Sequence, residues 1–266
     1  MHTFRTVRSR ALAVVTLGLT VALTVPALPA SAEDSAPAPV AAATISKLTP
    51  GSGVTSGGAV VTITGTGFTD VSAVTLGSVP VTRFDVVSAV KLTVITPPLE
   101  AGTYALSVTT PAGTTTAGKY TVRTFTDEVL RLVNEARSTA RKCGSTKYKA
   151  VRPVRADATL ARVATAHSAD MARRDYFSHT SKNGDSPFDR MKDAGYRYSS
   201  AGENIAAGFR TPSSVVNAWL KSPGHCRNIM KRSYTELGVG YAVGGTYGTY
   251  WTQDFGRKTA VYPLVI

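Results

Sequence analysis

Two hydrophobic periods divide the chain. Between Thr44 and Val122 apolar residues recur at every second position: Val61 and Ile63 alternate with Thr62 and Thr64, and Tyr104, Leu106 and Val108 alternate with Ala105, Ser107 and Thr109. That is the period of a half-buried strand. Turn clusters (SGG at 56–58, GTG at 65–67, TPP at 96–98, PAG at 111–113) cut this stretch into roughly seven short strands. The pattern predicts a small all-β sandwich.

After Thr124 the period turns helical. Thr124-Phe125-Thr126-Asp127 is a capping sequence, followed by Val129, Val133, Ala136 and Ala140 every three or four residues. A second helix is predicted over 157–174, with Leu160, Val163, Ala164, His167 and Met171 on one stripe. Ser186-Pro187 with Asp189 starts a third helix, which Gly195 ends. Thr211-Pro212 starts a fourth, burying Val215, Val216 and Trp219, and Pro223-Gly224 ends it. Strands return in LGVGYAV and YGTYWTQDF, joined by Gly244-Gly245 as a hairpin. The fold class is therefore α+β: a sandwich over 44–123, an α+β domain over 124–258 and a tail over 259–266.

The first 43 residues follow neither pattern. Arg5, Arg8 and Arg10 precede an apolar run over 11–25, two prolines and Ala30-Ser31-Ala32. These are the three parts of a secretory signal peptide over 1–32, cleaved near Ala32. A Pro/Ala-rich linker fills 33–43. No later stretch is apolar enough to span a bilayer, so no transmembrane anchor is expected and the protein is placed outside the cell or at its envelope.

Export changes how charge and cysteine are read. The formal charge is +13, and Arg141, Lys142, Lys147, Lys149, Arg152 and Arg155 follow one another without an acid. For an exported chain such a run points to anionic envelope polymers or lipid head groups rather than nucleic acid, or to a solvated loop. Cys143 and Cys226 are the only cysteines and read first as a disulfide. The alternative is Cys226 as a nucleophile activated by His225. Side chains of adjacent residues rarely face each other, and an oxidising compartment consumes a free thiolate.

Every histidine beyond the leader lies in the second domain: His167, His179 and His225. His167 sits on an apolar stripe and reads as a core histidine before a ligand. His179 follows two aromatics in DYFSHTS, and Glu203 stands in AGENIAAG, where flanking glycines permit a tight turn. Glu203 could equally hold the chain by accepting backbone N–H bonds. His225 follows Pro223-Gly224 in the first turn of a short helix, whose positive end favours neutral imidazole. Trp219 and Trp251 read as core.

The first domain resembles the IPT/TIG group of immunoglobulin-like domains in ISKLTPGSGVTSGGAVVTITGTGF, VTLGSVPV, LTVITPPLEAGTYALSVTTPAG and KYTV. That implies the sandwich and a spacer or surface-binding role. The second resembles the bacterial branch of the CAP superfamily. LVNEAR, LARVATAHSADMARRDYFSHTSKNGDSPFDRMKDAGY, AGENIAAG, VVNAWLKSPGHCRNIM, ELGVGYAV and TYWTQDFG occur in order. The resemblance implies an α-β-α sandwich with a cleft lined by histidines and acids. His179 and Glu203 match the family's first cleft histidine and glutamate. Ser222 and Tyr250 stand where the eukaryotic pattern has a second glutamate and a second histidine, and His225 takes the latter's place. His167, Asn204, Ser222, Tyr250 and Gln253 are expected along the cleft wall.

No G-x-S-x-G or H-E-x-x-H motif is present. His179, Glu203 and His225 could rim a site for an envelope or extracellular glycan, lipid or peptide, which is the leading reading. They could instead hold zinc, with His179 and His225 as ligands and Glu203 as general base of a hydrolase. A structural protein with a vestigial cleft is the third reading.

Overall fold

The computed structural model describes residues 41–260. The leader, most of the linker and residues 261–266 lie outside the described residues.

The first domain is a two-sheet sandwich. In chain order its strands are β1 (Thr44–Thr49), β2 (Ser52–Val54), β3 (Val60–Thr66), β4 (Ala73–Leu76) and β5 (Val79–Pro80). There follow β6 (Arg83–Ser88), β7 (Lys91–Ile95), β8 (Gly102–Thr110) and β9 (Gly113–Arg123). The sheets have orders β1-β3-β7-β6 and β2-β9-β8-β4-β5. Val61 and Ile63 from one sheet meet Leu106 and Val108 from the other in a single core. The expected alternation is the one that buries them. The strands beyond the expected seven are short, down to two residues in β5, too short for alternation to register.

One residue separates the domains. β9 ends at Arg123, and Thr124 caps α1 (Phe125–Arg137) by accepting from the Asp127 N–H. Val129, Val133 and Ala136 are buried, the two valines contributing roughly 1.5–3 kcal/mol each by leaving water. Ala140 does not continue this stripe. The helix stops at Ser138, whose hydroxyl donates back to the Glu135 carbonyl, and Arg137 turns inward. Its buried guanidinium donates to the carbonyls of Arg152, Ile229, Lys231 and Tyr234, tying the helix end to segments 15 to 97 residues away.

A basic hairpin follows, β10 (Arg141–Cys143) with β11 (Thr146–Tyr148), then the short β12 (Arg155–Ala156). Next come α2 (Ala158–Arg173), α3 (Pro187–Asp193), β13 (Tyr198–Ala207), α4 (Pro212–Lys221) and α5 (Pro223–Met230). β14 (Glu236–Gly244) and β15 (Gly248–Lys258) close the domain. The sheet runs β12-β14-β15-β13, with β13 at its edge. One face carries α2, and the other carries α1, α4 and α5, whose Val129, Trp219 and Ile229 pack on Trp251 and Phe255. This is the α-β-α sandwich.

α2 lies directly on β14 because Gly238 and Gly240 have no side chain. A Cβ on either would overlap the α2 backbone at Leu160–Ala161 or Ala164–Thr165. Backbone cannot step aside as a flexible side chain does. Gly240→Ala is therefore expected to cost about 3 kcal/mol, the upper range for overpacking. Urea denaturation measures it, and an unchanged midpoint would show that α2 does not sit this close.

Candidate functional site

The site is assembled around the edge strand β13. Glu203 pairs in register with Asp254 of β15, so the two side chains share the sheet face that carries α2. The next residue, Asn204, pairs with Gln253 and points to the opposite face. The glycines beside Glu203 make no turn, because Glu203 lies inside a strand. Gly202 instead gives room to the Tyr234 hydroxyl, which donates to the Ala201 carbonyl.

Glu203 is closed in by two partners. His179 Nδ1 lies 2.6 Å from Oε1, and Arg190 Nη2 donates to Oε2 at 2.6 Å. The glutamate side chain is 1% exposed, whereas that of His179 is 49% exposed. A carboxylate only accepts, so Nδ1–H is the donor and Nε2 is the ring nitrogen left for another partner.

The His179 loop is held at several points. His167 is buried in α2, and its Nε2 bonds the Ser178 carbonyl at 2.9 Å, one residue before His179. Arg190 Nη1 donates to the carbonyls of His179 and Asp185 and to the Ser181 hydroxyl. Arg190 is carried on α3, whose start is fixed by the reciprocal Ser186–Asp189 capping box and Pro187. One guanidinium thus joins the loop to the buried glutamate.

His225 arrives from the other face. It sits in the first turn of α5, and its carbonyl accepts from Asn204 Nδ2 at 3.2 Å. Asn228, one turn on, donates to the carbonyl of Glu203 and to Asn204 Oδ1. The Cys143–Cys226 disulfide ties the same turn to β10. No free cysteine is left among the described residues, which removes the nucleophile reading.

Residues 130–255 match the family described as "CAP: Cysteine-rich secretory protein family", and residues 43–122 match the IPT/TIG domain. The chain therefore carries a CAP domain, with an IPT/TIG domain in front. It is 40% identical over 142 residues to the uncharacterized protein YkwD of Bacillus subtilis, covering 53% of this chain and 51% of that one. It is 39% identical over 102 residues to the uncharacterized membrane protein YlbC of the same organism, covering 38% of this chain and 28% of that one. The chain thus spans about half the length of YkwD and less of YlbC. A Bacillus anthracis extracellular protein containing an SCP domain is 21% identical, with a TM-score of 0.42, over 83% of this chain and 68% of that one. No helix among the described residues is long and apolar enough to cross a membrane.

Burial sets the electrostatics of this CAP domain. It depresses the pKa of His225, and the charge of nearby His179 adds to the effect; the helix end is not the main cause. Burial also depresses His167, opposed by Glu203. Asp254, fully buried beside Glu203, has its pKa raised well above the ordinary carboxylate value by desolvation and then by the charge of Glu203, while Arg190 opposes the rise.

Two hollows border this network. A polar one of about 380 Å³ contains His167, Ser181, Asp185 and Arg190. A more apolar one of about 370 Å³ contains Phe177, Phe209, Trp219, Ser222, His225 and Tyr247. Of the residues expected on the wall, Ser222 and His167 each line one hollow. Asn204 and Gln253 are wholly buried and bond each other at 3.0 Å beneath the site. Tyr250 lies elsewhere, buried against Met171 and Ile205, with its hydroxyl toward Asp175. Its ring fills the core behind β15 instead of bordering an opening.

The donor set does not suit zinc. His179 and His225 offer ring nitrogens, but both Glu203 oxygens are engaged, and no cluster of three or more potential ligands occurs among the described residues. Sequence reasoning missed Arg190, Asn228 and Asp254. Only Asp254 left a signal, an acid inside the aromatic strand YWTQDF. Nothing local distinguishes Arg190 from other helical arginines.

Proposed function

We propose that this is an exported binding protein whose CAP domain holds an envelope or extracellular glycan, lipid or peptide at His179 and His225. The observation that carries the reading is a buried glutamate with one oxygen orienting a half-exposed histidine and the other held by Arg190. A general base needs a free oxygen within reach of a water, and Glu203 offers none, which argues against the hydrolase reading. An oriented His179, two residues along the chain from Phe177 of the aromatic hollow, is suited to a ligand with a polar group next to an apolar portion. The exposed Lys142 and Lys147 face each other across the β10–β11 hairpin, and the disulfide fixes that hairpin to the His225 turn. Anionic envelope polymers fit this basic edge. The IPT/TIG domain acts as spacer or surface-binding module.

The test is co-sedimentation of the mature chain with purified envelopes and with vesicles of extracted lipid, beside NMR titration of the histidines. His179→Ala is expected to reduce sedimentation at least about tenfold. It should also raise the His225 pKa toward its ordinary value, because the charge that helps depress it is gone. Undiminished sedimentation would sink the binding role of the site. An unmoved His225 would show that the two histidines do not share it.

A further inference from the structure

A third hollow lies at the junction of the two domains, away from the histidines. It has a volume of about 550 Å³, within the roughly 300–1,000 Å³ of small-ligand sites. Its floor is aromatic: Phe125 and Tyr241 lie 5.1 Å apart by ring centroid, and both rest on the buried Trp251. Its rim is a set of hydroxyls, Thr55 and Ser56 from the IPT/TIG domain with Thr126 and Thr165 from the CAP domain. No charged side chain lines it.

The two halves are held in register by the backbone. The Thr55 N–H donates to the Arg123 carbonyl at 3.0 Å, and the next residue, Thr124, caps α1. The IPT/TIG rim and the aromatic floor therefore hang from two consecutive residues. Arg123 also reaches Glu128 on the first turns of α1. The Thr124 hydroxyl is engaged by the helix cap, which leaves those of Thr55, Thr165 and Tyr241 for a ligand.

We infer that this junction binds a neutral oligosaccharide. A sugar ring has one face of C–H groups, which stacks on the electron-rich face of an aromatic ring, and an edge of hydroxyls that both donate and accept. An aromatic floor with a hydroxyl rim complements both. The lack of charge fits a neutral chain and offers nothing to a phosphate, a uronate or a charged peptide. The two domains then act together on one ligand, independently of the histidine site.

NMR titration of the full mature chain with cellohexaose and maltohexaose tests this. At least one of them is expected to shift the Thr55 and Thr165 methyl resonances and the Tyr241 ring together. Thr165 is exposed on α2, so Thr165→Trp should fold normally, fill the hollow and weaken binding at least about tenfold. Tyr241→Phe, which keeps the ring, should weaken it less. The inference is overturned if neither sugar shifts these residues at millimolar concentration, if the shifts gather around His179 instead, or if Thr165→Trp binds as well as the parent. Binding of a polygalacturonate hexamer or an apolar hexapeptide in place of the neutral sugars would also overturn it.

Discussion

Arg190→Met is expected to destabilise the CAP domain by about 3–5 kcal/mol at neutral pH, the usual cost of removing one partner from a buried ion pair. The side chains of Arg190 and Glu203 are 11% and 1% exposed, so water cannot replace the lost guanidinium. Asp254 lies against Glu203, and Arg190 is the group that restrains its pKa. The loss should depend on pH in a definite direction. The folded pKa of Asp254 is raised, so above about pH 3.9 the unfolded chain releases a proton that the folded chain retains. Stability from this group is full below that value and falls as pH rises toward the folded pKa. Without Arg190 the folded pKa climbs further and the fall continues to higher pH. Urea denaturation of parent and variant between about pH 4 and pH 8 should show a deficit that widens with pH. A deficit of the same size throughout would mean that Arg190 stabilises by packing alone.

Opening the Cys143–Cys226 bond is the second large effect. The bond closes a loop of 83 residues, for which chain entropy allows roughly 4–5 kcal/mol. Both sulfurs are buried in the core that holds Trp219 and Ile229, so reduction also disturbs packing. A fall in Tm of roughly 10 °C is expected for Cys143→Ala/Cys226→Ala in calorimetry. The loss should be local in its consequences. His225 should move closer to its ordinary pKa as α5 loosens and water reaches it, while the sandwich core keeps its spectrum. A variant with the parent Tm and an unmoved His225 would show that the bond neither stabilises the domain nor fixes its neighbour.

Much of this architecture is written in local patterns. The change from period two to helical period coincides with the passage from β9 to α1 at Thr124, because each period is a property of neighbouring residues and burial acts on them directly. Capping residues mark the starts of α1, α3 and α4 for the same reason: Thr124, Ser186 and Thr211 bond backbone three residues ahead. His179, Glu203 and His225 stand out as polar residues in turn-like or glycine-flanked settings, and two cysteines have one way to pair within a chain.

What the chain pattern could not supply was the sidedness of β13. Adjacent strand residues point to opposite faces, so Glu203 and Asn204 belong to different layers: Glu203 bonds His179 and Arg190, while Asn204 bonds the His225 carbonyl on α5. Arg190 and Asp254 became part of the site only because α3 and β15 bring them within reach of Glu203 from 13 and 51 residues away. Charges and hydrogen bonds act through space over a few ångströms, and no spacing along the chain encodes which distant partner arrives there. The same holds for Tyr250, drawn into the core because its ring faces α2, and for the hollow at the junction, whose two rims meet only when the sandwich and the CAP domain are both folded.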